Sequence, residues 1–342
     1  MRKIVFTAVA GSLVGLGGIP SFAAADDLKV SVWGGNWQEL TQDTAGACYE
    51  KKTGEKITYI TGGTIDRLTK AKLAAGSPET DVTITTSHVG WLYVSANLFE
   101  ELDMSRIEAR ADMSEQAFVS PYHIGAFTYV YTIGWRTDLM PEGTEFASWA
   151  DLWKPDYKGM LGMPDFDPSH MIAVSAILEG ASPQEWQKGS EKLKALKPNV
   201  KAFFNSDATG QNMIVSGETP VQVMLSTNAY YQQAQGVPIK LAVPKEGAVV
   251  GLDTVSIDKG SKNLDKAYIF INCMLEPQAQ AVLADKHKLG PLNVKTKMAP
   301  ETAALPGMFM PDQLDKQIIV DAKLRAEKLN EWRTWFAENM RN

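Results

Sequence analysis

Leu28-Lys-Val-Ser-Val-Trp33-Gly-Gly-Asn-Trp37 is the stretch on which the fold turns. Its first six residues carry the period-2 alternation of a strand. Gly34 and Gly35 break the run, and Asn36 stands three residues before Glu39. That spacing predicts a capping-box start for a helix burying Trp37, Leu40, Thr44 and Cys48 and stopping near Gly54. Residues 57–60 read as a second strand, Thr61-Gly-Gly-Thr64 leads into a helix carrying Ile65, Leu68, Ala71 and Ala75, and residues 82–85 read as a third strand. Strand-helix-strand order with short connections implies parallel strands joined by right-handed crossovers, hence an α/β layered lobe. In such sheets ligands sit beyond the carboxyl ends of the strands. Residues 33–37, 61–64 and 85–91 are therefore expected to line a mouth.

The alternation returns after about residue 159. Residues 160–163, 200–204 and 221–225 read as strands, separated by helices around 171–179, 183–196 and 208–215, which makes a second α/β lobe. Between the two lies the β-prone run Phe127-Thr-Tyr-Val-Tyr-Thr-Ile133, and a comparable run, 249–257, follows the second lobe. Two such runs flanking an inserted lobe predict a hinge that the chain crosses twice. Residues 26–127 with 251–298 then form one lobe, and 128–250 with 299–342 the other. From Asp312 onward, Leu314, Ile318, Ala322, Leu329, Trp332 and Phe336 recur at roughly helical spacing, and the tail is expected to be a helix clasping a lobe.

The chain opens with Arg2 and Lys3, an apolar stretch to about Phe22 and then Ala23-Ala24-Ala25. This reads as a secretory leader over residues 1–25, and Gly11, Gly15, Gly17, Gly18 and Pro20 argue against a membrane anchor. No Cys stands beside the cleavage site to take a lipid, so a free periplasmic protein starting near Asp26 is expected. No later stretch approaches the length of a spanning helix. Removing Arg2 and Lys3 takes the net charge from −6 to −8, with no basic stripe of the kind nucleic acid requires. Cys48 and Cys273 are the only cysteines. An oxidising compartment permits them to pair, and two buried thiols are the alternative.

Catalysis is not expected. His88, His123, His170 and His287 are too scattered for a metal motif, and no nucleophile elbow, zinc-protease motif or phosphate loop is present. Neither a cofactor nor an oligomer is called for. Asp253 stands inside an apolar run between Leu252 and Val255, where an acidic residue needs a specific partner. Asn36 and Thr64 offer side-chain hydrogen bonds, and Trp33 and Trp37 offer rings to methylenes or to a cation. Asn228-Ala-Tyr-Tyr231 reads either as a helix start or, through Tyr230 and Tyr231 with His88, as hard oxygen and nitrogen donors for ferric iron.

Together Trp33-Gly-Gly-Asn-Trp37, Tyr131-Thr-Ile-Gly-Trp135, Trp149-Ala-Asp-Leu-Trp153, Tyr157-Lys-Gly159, Val243-Pro-Lys-Glu-Gly247 and Lys266-Ala-Tyr-Ile-Phe-Ile-Asn272 with Glu276-Pro277 carry a resemblance. In this order and behind a leader, the chain resembles the bacterial extracellular solute-binding proteins of the spermidine/putrescine type. The resemblance implies a type II periplasmic-binding-protein fold, two lobes closing on a small-molecule solute without chemistry, and delivery to an inner-membrane ABC permease. It implies that Trp37 covers a polyamine's methylenes, that Thr86 and His88 stand in a binding loop, and that Asp165 and Asp253 are ligand carboxylates. Leu40, Pro168, Leu225, Gly251 and Gly290 fall where polyamine binders carry Tyr, Glu, Trp, Trp and Tyr. Much of the aromatic box is thereby lost, which favours a smaller amine, an ω-amino acid included.

Overall fold

The computed structural model describes residues 27–341, and the expected leader lies outside the described residues. Strands β1 (Leu28–Val32), β2 (Ile57–Thr61) and β3 (Val82–Thr86) pair in parallel, with the helices between them as crossovers. In the second half β5 (Leu161–Pro164), β6 (Val200–Phe204) and β7 (Val221–Leu225) repeat the arrangement. The two linking runs are β4 (Ile124–Arg136), bordered antiparallel over its last residues by β8 (Ile239–Ala242), and β9 (Val249–Ile257), both runs almost wholly buried. They are not free linkers. They pair with each other antiparallel from Ile124↔Val255 to Tyr131↔Val249, so the hydrogen-bonded order β2-β1-β3-β9-β4-β7-β5-β6 runs unbroken through the junction. Each half thus ends on an antiparallel strand, β3 against β9 and β7 against β4, because the chain re-enters each half in the reverse direction.

Local differences from expectation have physical reasons. Gly35, at φ 63°, caps the first helix with no side-chain bond, so Asn36 is not its cap and lies exposed in the first turn. The left-handed turn at Gly35 is the conformation glycine adopts without strain. The tail is not one helix. Leu314 sits in a 3-10 turn, Pro311–Lys316, and Ile318 joins β9 through a two-residue strand paired to Val249. The helix proper, Ala322–Phe336, begins only where the Asp321 carboxylate accepts the Leu324 N–H. It lies across both halves, packing on the Ser87–Ser95 helix of the first and the Ser169–Leu178 helix of the second. Trp335 meets Trp186 edge-on and Phe336 meets Phe203.

Cys48, on the Ala47–Thr53 helix, is bonded to Cys273, on the Leu264–Leu275 helix, with Cα atoms 5.6 Å apart. The bond ties the first crossover to a helix 225 residues later in the chain.

Candidate functional site

A cavity of about 390 Å³ opens between the halves where the strands' carboxyl ends converge. Trp33, Thr64, Thr86 and His88 enter from the ends of β1, β2 and β3, and Phe166, Asp167 and Asp207 from the ends of β5 and β6. Tyr129 and Tyr131 of β4 and Asp253 of β9 form the floor. The Ala322–Phe336 helix contributes Arg325, Leu329 and Arg333 as a further wall. A second cavity of equal volume lies beside the Thr64–Leu73 helix, towards the amino end of β3 and away from this convergence.

Aromatic rings surround the floor. Trp37 stacks on Phe127 with centroids 6.0 Å apart, Trp33 is 5.6 Å from Trp37, and Tyr131 lies 3.8 Å from the His170 ring. Tyr129 stands beside Gly251 on the neighbouring strand, and a Cβ added at Gly251 would lie 2.0 Å from its ring. The Tyr129 ring therefore fills the space that a large residue at 251 would take.

The charges divide into paired and unpaired. Burial would raise the Asp167 carboxyl, but the Arg325 guanidinium 2.6 Å away holds it well below the usual carboxylate range. Burial, with Arg325 adding to it, pushes His88 down to about 3, and burial pushes His170 down to about 4, so both imidazoles are neutral at ordinary pH. Asp253 is 2% exposed, and its Oδ1 has no hydrogen-bond partner. Burial pushes its pKa up to about 7, against a Tyr129 hydrogen bond and the Arg67 and Arg325 charges. Asp207, partly open to the cavity, is pushed up to about 6 by loss of solvent, opposed by a hydrogen bond to Asn228. Two carboxyl groups thus face the cavity without an ion-pair partner, which is the arrangement an ammonium group relieves.

Of the residues singled out in the sequence, Trp33, Trp37, Thr64, Thr86, His88 and Asp253 line this cavity. Trp33 and Thr64 are engaged with each other, the indole Nε1 donating to Thr64 Oγ1 at 2.7 Å. Asn36, Asp165, Asn228 and Tyr230 do not line it. Asp165 pairs with Arg341 at 2.8 Å outside the cavity, and Asp167, two residues on, lines it instead. Asn228 braces Asp207. Tyr230 donates its hydroxyl to the Pro306 carbonyl in a separate groove beside Glu145 and Lys240, while Tyr231 is 52% exposed. The two tyrosines therefore share no site with His88, and no cluster of three or more His, Cys, Asp or Glu side chains suited to a metal occurs among the described residues. Tyr129, Tyr131, Asp207, Arg325 and Arg333 were not anticipated. Only Asp207 had a sequence signal, as the acidic residue following Ser206 at the end of a strand.

A sequence model of the bacterial extracellular solute-binding proteins matches residues 44–310. The chain belongs to this family. Among its relatives, the spermidine/putrescine-binding periplasmic protein of Escherichia coli K12 is 26% identical over 276 residues, 78% of each chain. The putrescine/cadaverine-binding protein of Pseudomonas aeruginosa is 28% identical over 300 residues, 79% of each. The substrate-binding protein PotD of a Streptococcus pneumoniae spermidine/putrescine ABC transporter superposes with a TM-score of 0.76 at 22% identity, covering 92% of this chain and 98% of that one. The fold is the type II periplasmic-binding-protein fold. This solute-binding protein belongs with transport proteins that bind their substrates and is not an enzyme. No helix of the described residues is long and apolar enough to cross a membrane.

Proposed function

We propose that this solute-binding protein captures a small amine-containing solute, polyamine-like or ω-amino-acid-like, in the cavity between its halves and delivers it to an inner-membrane ABC permease. In this reading the mature chain is a free periplasmic monomer. Residues 26–127 with 251–298 move as one lobe against 128–250 with 299–342, hinging where β4 and β9 pair. The relatives that bind spermidine, putrescine and cadaverine support the solute class. The observation that carries the reading is Asp253, a buried carboxylate with an unpartnered oxygen at the floor of an aromatic-walled cavity. Left alone it destabilises the native state, and an ammonium supplies the charge that it lacks.

The test is a thermal-shift screen of the purified mature protein against putrescine, spermidine, 5-aminopentanoate, choline and ferric citrate. A ligand at about 100 times its Kd adds about 2.7 kcal/mol to stability. An amine is expected to register, and Asp253→Asn to weaken it by about 2 to 5 kcal/mol, the typical cost of truncating one partner of a desolvated charge pair. A screen in which no amine shifts the transition would overturn the reading.

A further inference from the structure

The Ala322–Phe336 helix brings two guanidinium groups to a cavity whose floor is acidic, and the amine reading leaves them unexplained. Arg325, Leu329 and Arg333 recur four residues apart and so share one face of the helix. Arg325 is 5% exposed. Its Nη2 is committed to Asp167, but its buried Nε has no partner. Arg333 directs Nε and Nη2 at the Phe166 carbonyl, which anchors the group without neutralising it. No carboxylate among the described residues forms an ion pair with Arg333. A dication entering this cavity would relieve Asp253 and Asp207 and at the same time meet an uncompensated positive charge. A solute bearing one ammonium and one carboxylate meets a complement at both ends.

We infer that the solute is a zwitterion, an ω-amino acid of a few methylenes, whose ammonium is held at Asp253 and whose carboxylate is received by Arg333 with the unpartnered Nε of Arg325. This rests on the amine reading and narrows it. Arg333 is the specificity-determining residue. Its Nε and Nη2 are held on the Phe166 carbonyl, which leaves Nη1 and the second Nη2 hydrogen as the planar edge for a carboxylate. Asp253 and the rings of Trp37, Tyr129 and Tyr131 serve the amine and the methylenes, as they would for a diamine. The helix therefore separates the two solute classes. His88 and His170, neutral beside Arg325, add no charge to the anionic end.

Isothermal titration of the mature protein with 5-aminopentanoate, its amide 5-aminopentanamide, and putrescine tests the inference. The wild type is expected to bind the amino acid about thirtyfold or more tightly than either the amide or the diamine. Arg333→Gln is expected to erase that preference while leaving putrescine affinity equal or improved. The amide comparison needs no variant, so a misfolded Arg333→Gln would leave the test intact. Putrescine binding as tightly as 5-aminopentanoate, or an unchanged preference in folded Arg333→Gln, would overturn the zwitterion and leave the amine reading standing. A wild type that binds none of the three would overturn both.

Discussion

Replacing Asp253 by Asn should make the ligand-free protein more stable, by an amount that grows with pH. Asp253 lies on β9 between Thr86 of β3 and Phe127 of β4, only 2% exposed, and burial moves its pKa from 3.8 to about 7. A folded-state pKa raised above the unfolded value means that the native state holds the proton more tightly. Stability is therefore lost as pH rises from about 4 to about 7, and the loss is constant above that. Going from 3.8 to about 7 corresponds to a ceiling of about 4 kcal/mol, at about 1.4 kcal/mol for each tenfold change in proton affinity. Local relaxation around a buried charge reduces this, and about 2 to 4 kcal/mol is expected. Asn keeps the shape of the protonated acid and removes the penalty. Urea unfolding without ligand should give wild type and Asp253→Asn similar midpoints near pH 4 and a clear excess for the variant at pH 8. Asp258, also raised to about 7 by burial, titrates in both proteins and cancels in the difference. A variant no more stable than wild type at pH 8, or a difference independent of pH, would refute the argument that this carboxylate is uncompensated in the empty cavity.

The remaining expectations address other parts of the molecule. Cys48→Ala with Cys273→Ala opens a closed loop of 225 residues, for which chain entropy gives about 5 kcal/mol. A loss of about 3 to 5 kcal/mol in urea is expected, and two titratable thiols in the unreduced, denatured wild type would contradict the bond. Gly251→Ala drives a Cβ into the Tyr129 ring and should cost about 1 to 3 kcal/mol. In a Tyr129→Ala background the same substitution should cost little, and a double-mutant cycle with no coupling would discount the contact between position 251 and the Tyr129 ring. Tyr230→Phe removes only the bond to the Pro306 carbonyl and should cost about 1 kcal/mol of stability with amine affinity unchanged. A loss of ligand binding in that variant would return the tyrosine to the site.

The fold was legible where local pattern and tertiary demand agree. Residues 221–225 and 249–257 read from sequence coincide with the observed strands, because an apolar, β-prone run in a doubly covered strand carries its own signature. What the pattern concealed was pairing. That β4 and β9 are neighbours, and that Ile318 leaves its helical spacing to extend β9 from Val249, depends on contacts far apart in the chain. No window of periodicity contains them. The segment 183–196 shows the weaker case, where Pro183 starts a 3-10 turn to Gly189 and only Ser190–Lys194 is α-helical.

The site divides along the same physical line. Residues that line the cavity because they follow the carboxyl end of a strand, such as Trp33, Thr86 and His88, follow from topology, and topology followed from the strand-helix order. Asp253 was legible for a different reason. A carboxylate between Leu252 and Val255 has no cheap place to go, so its presence in a buried run implies a partner. Tyr129 and Tyr131 gave no such signal, because an aromatic in a buried strand is already accounted for by the core. Nor did Arg325 and Arg333. On an isolated helix each reads as a charge facing solvent, and only the docking of that helix across both halves turns the face inward. Under the zwitterion inference, Tyr129 walls the cavity beside Gly251 and Arg333 sets a positive charge against a second ammonium, so the choice of solute would rest on a helix whose position no local reading could supply.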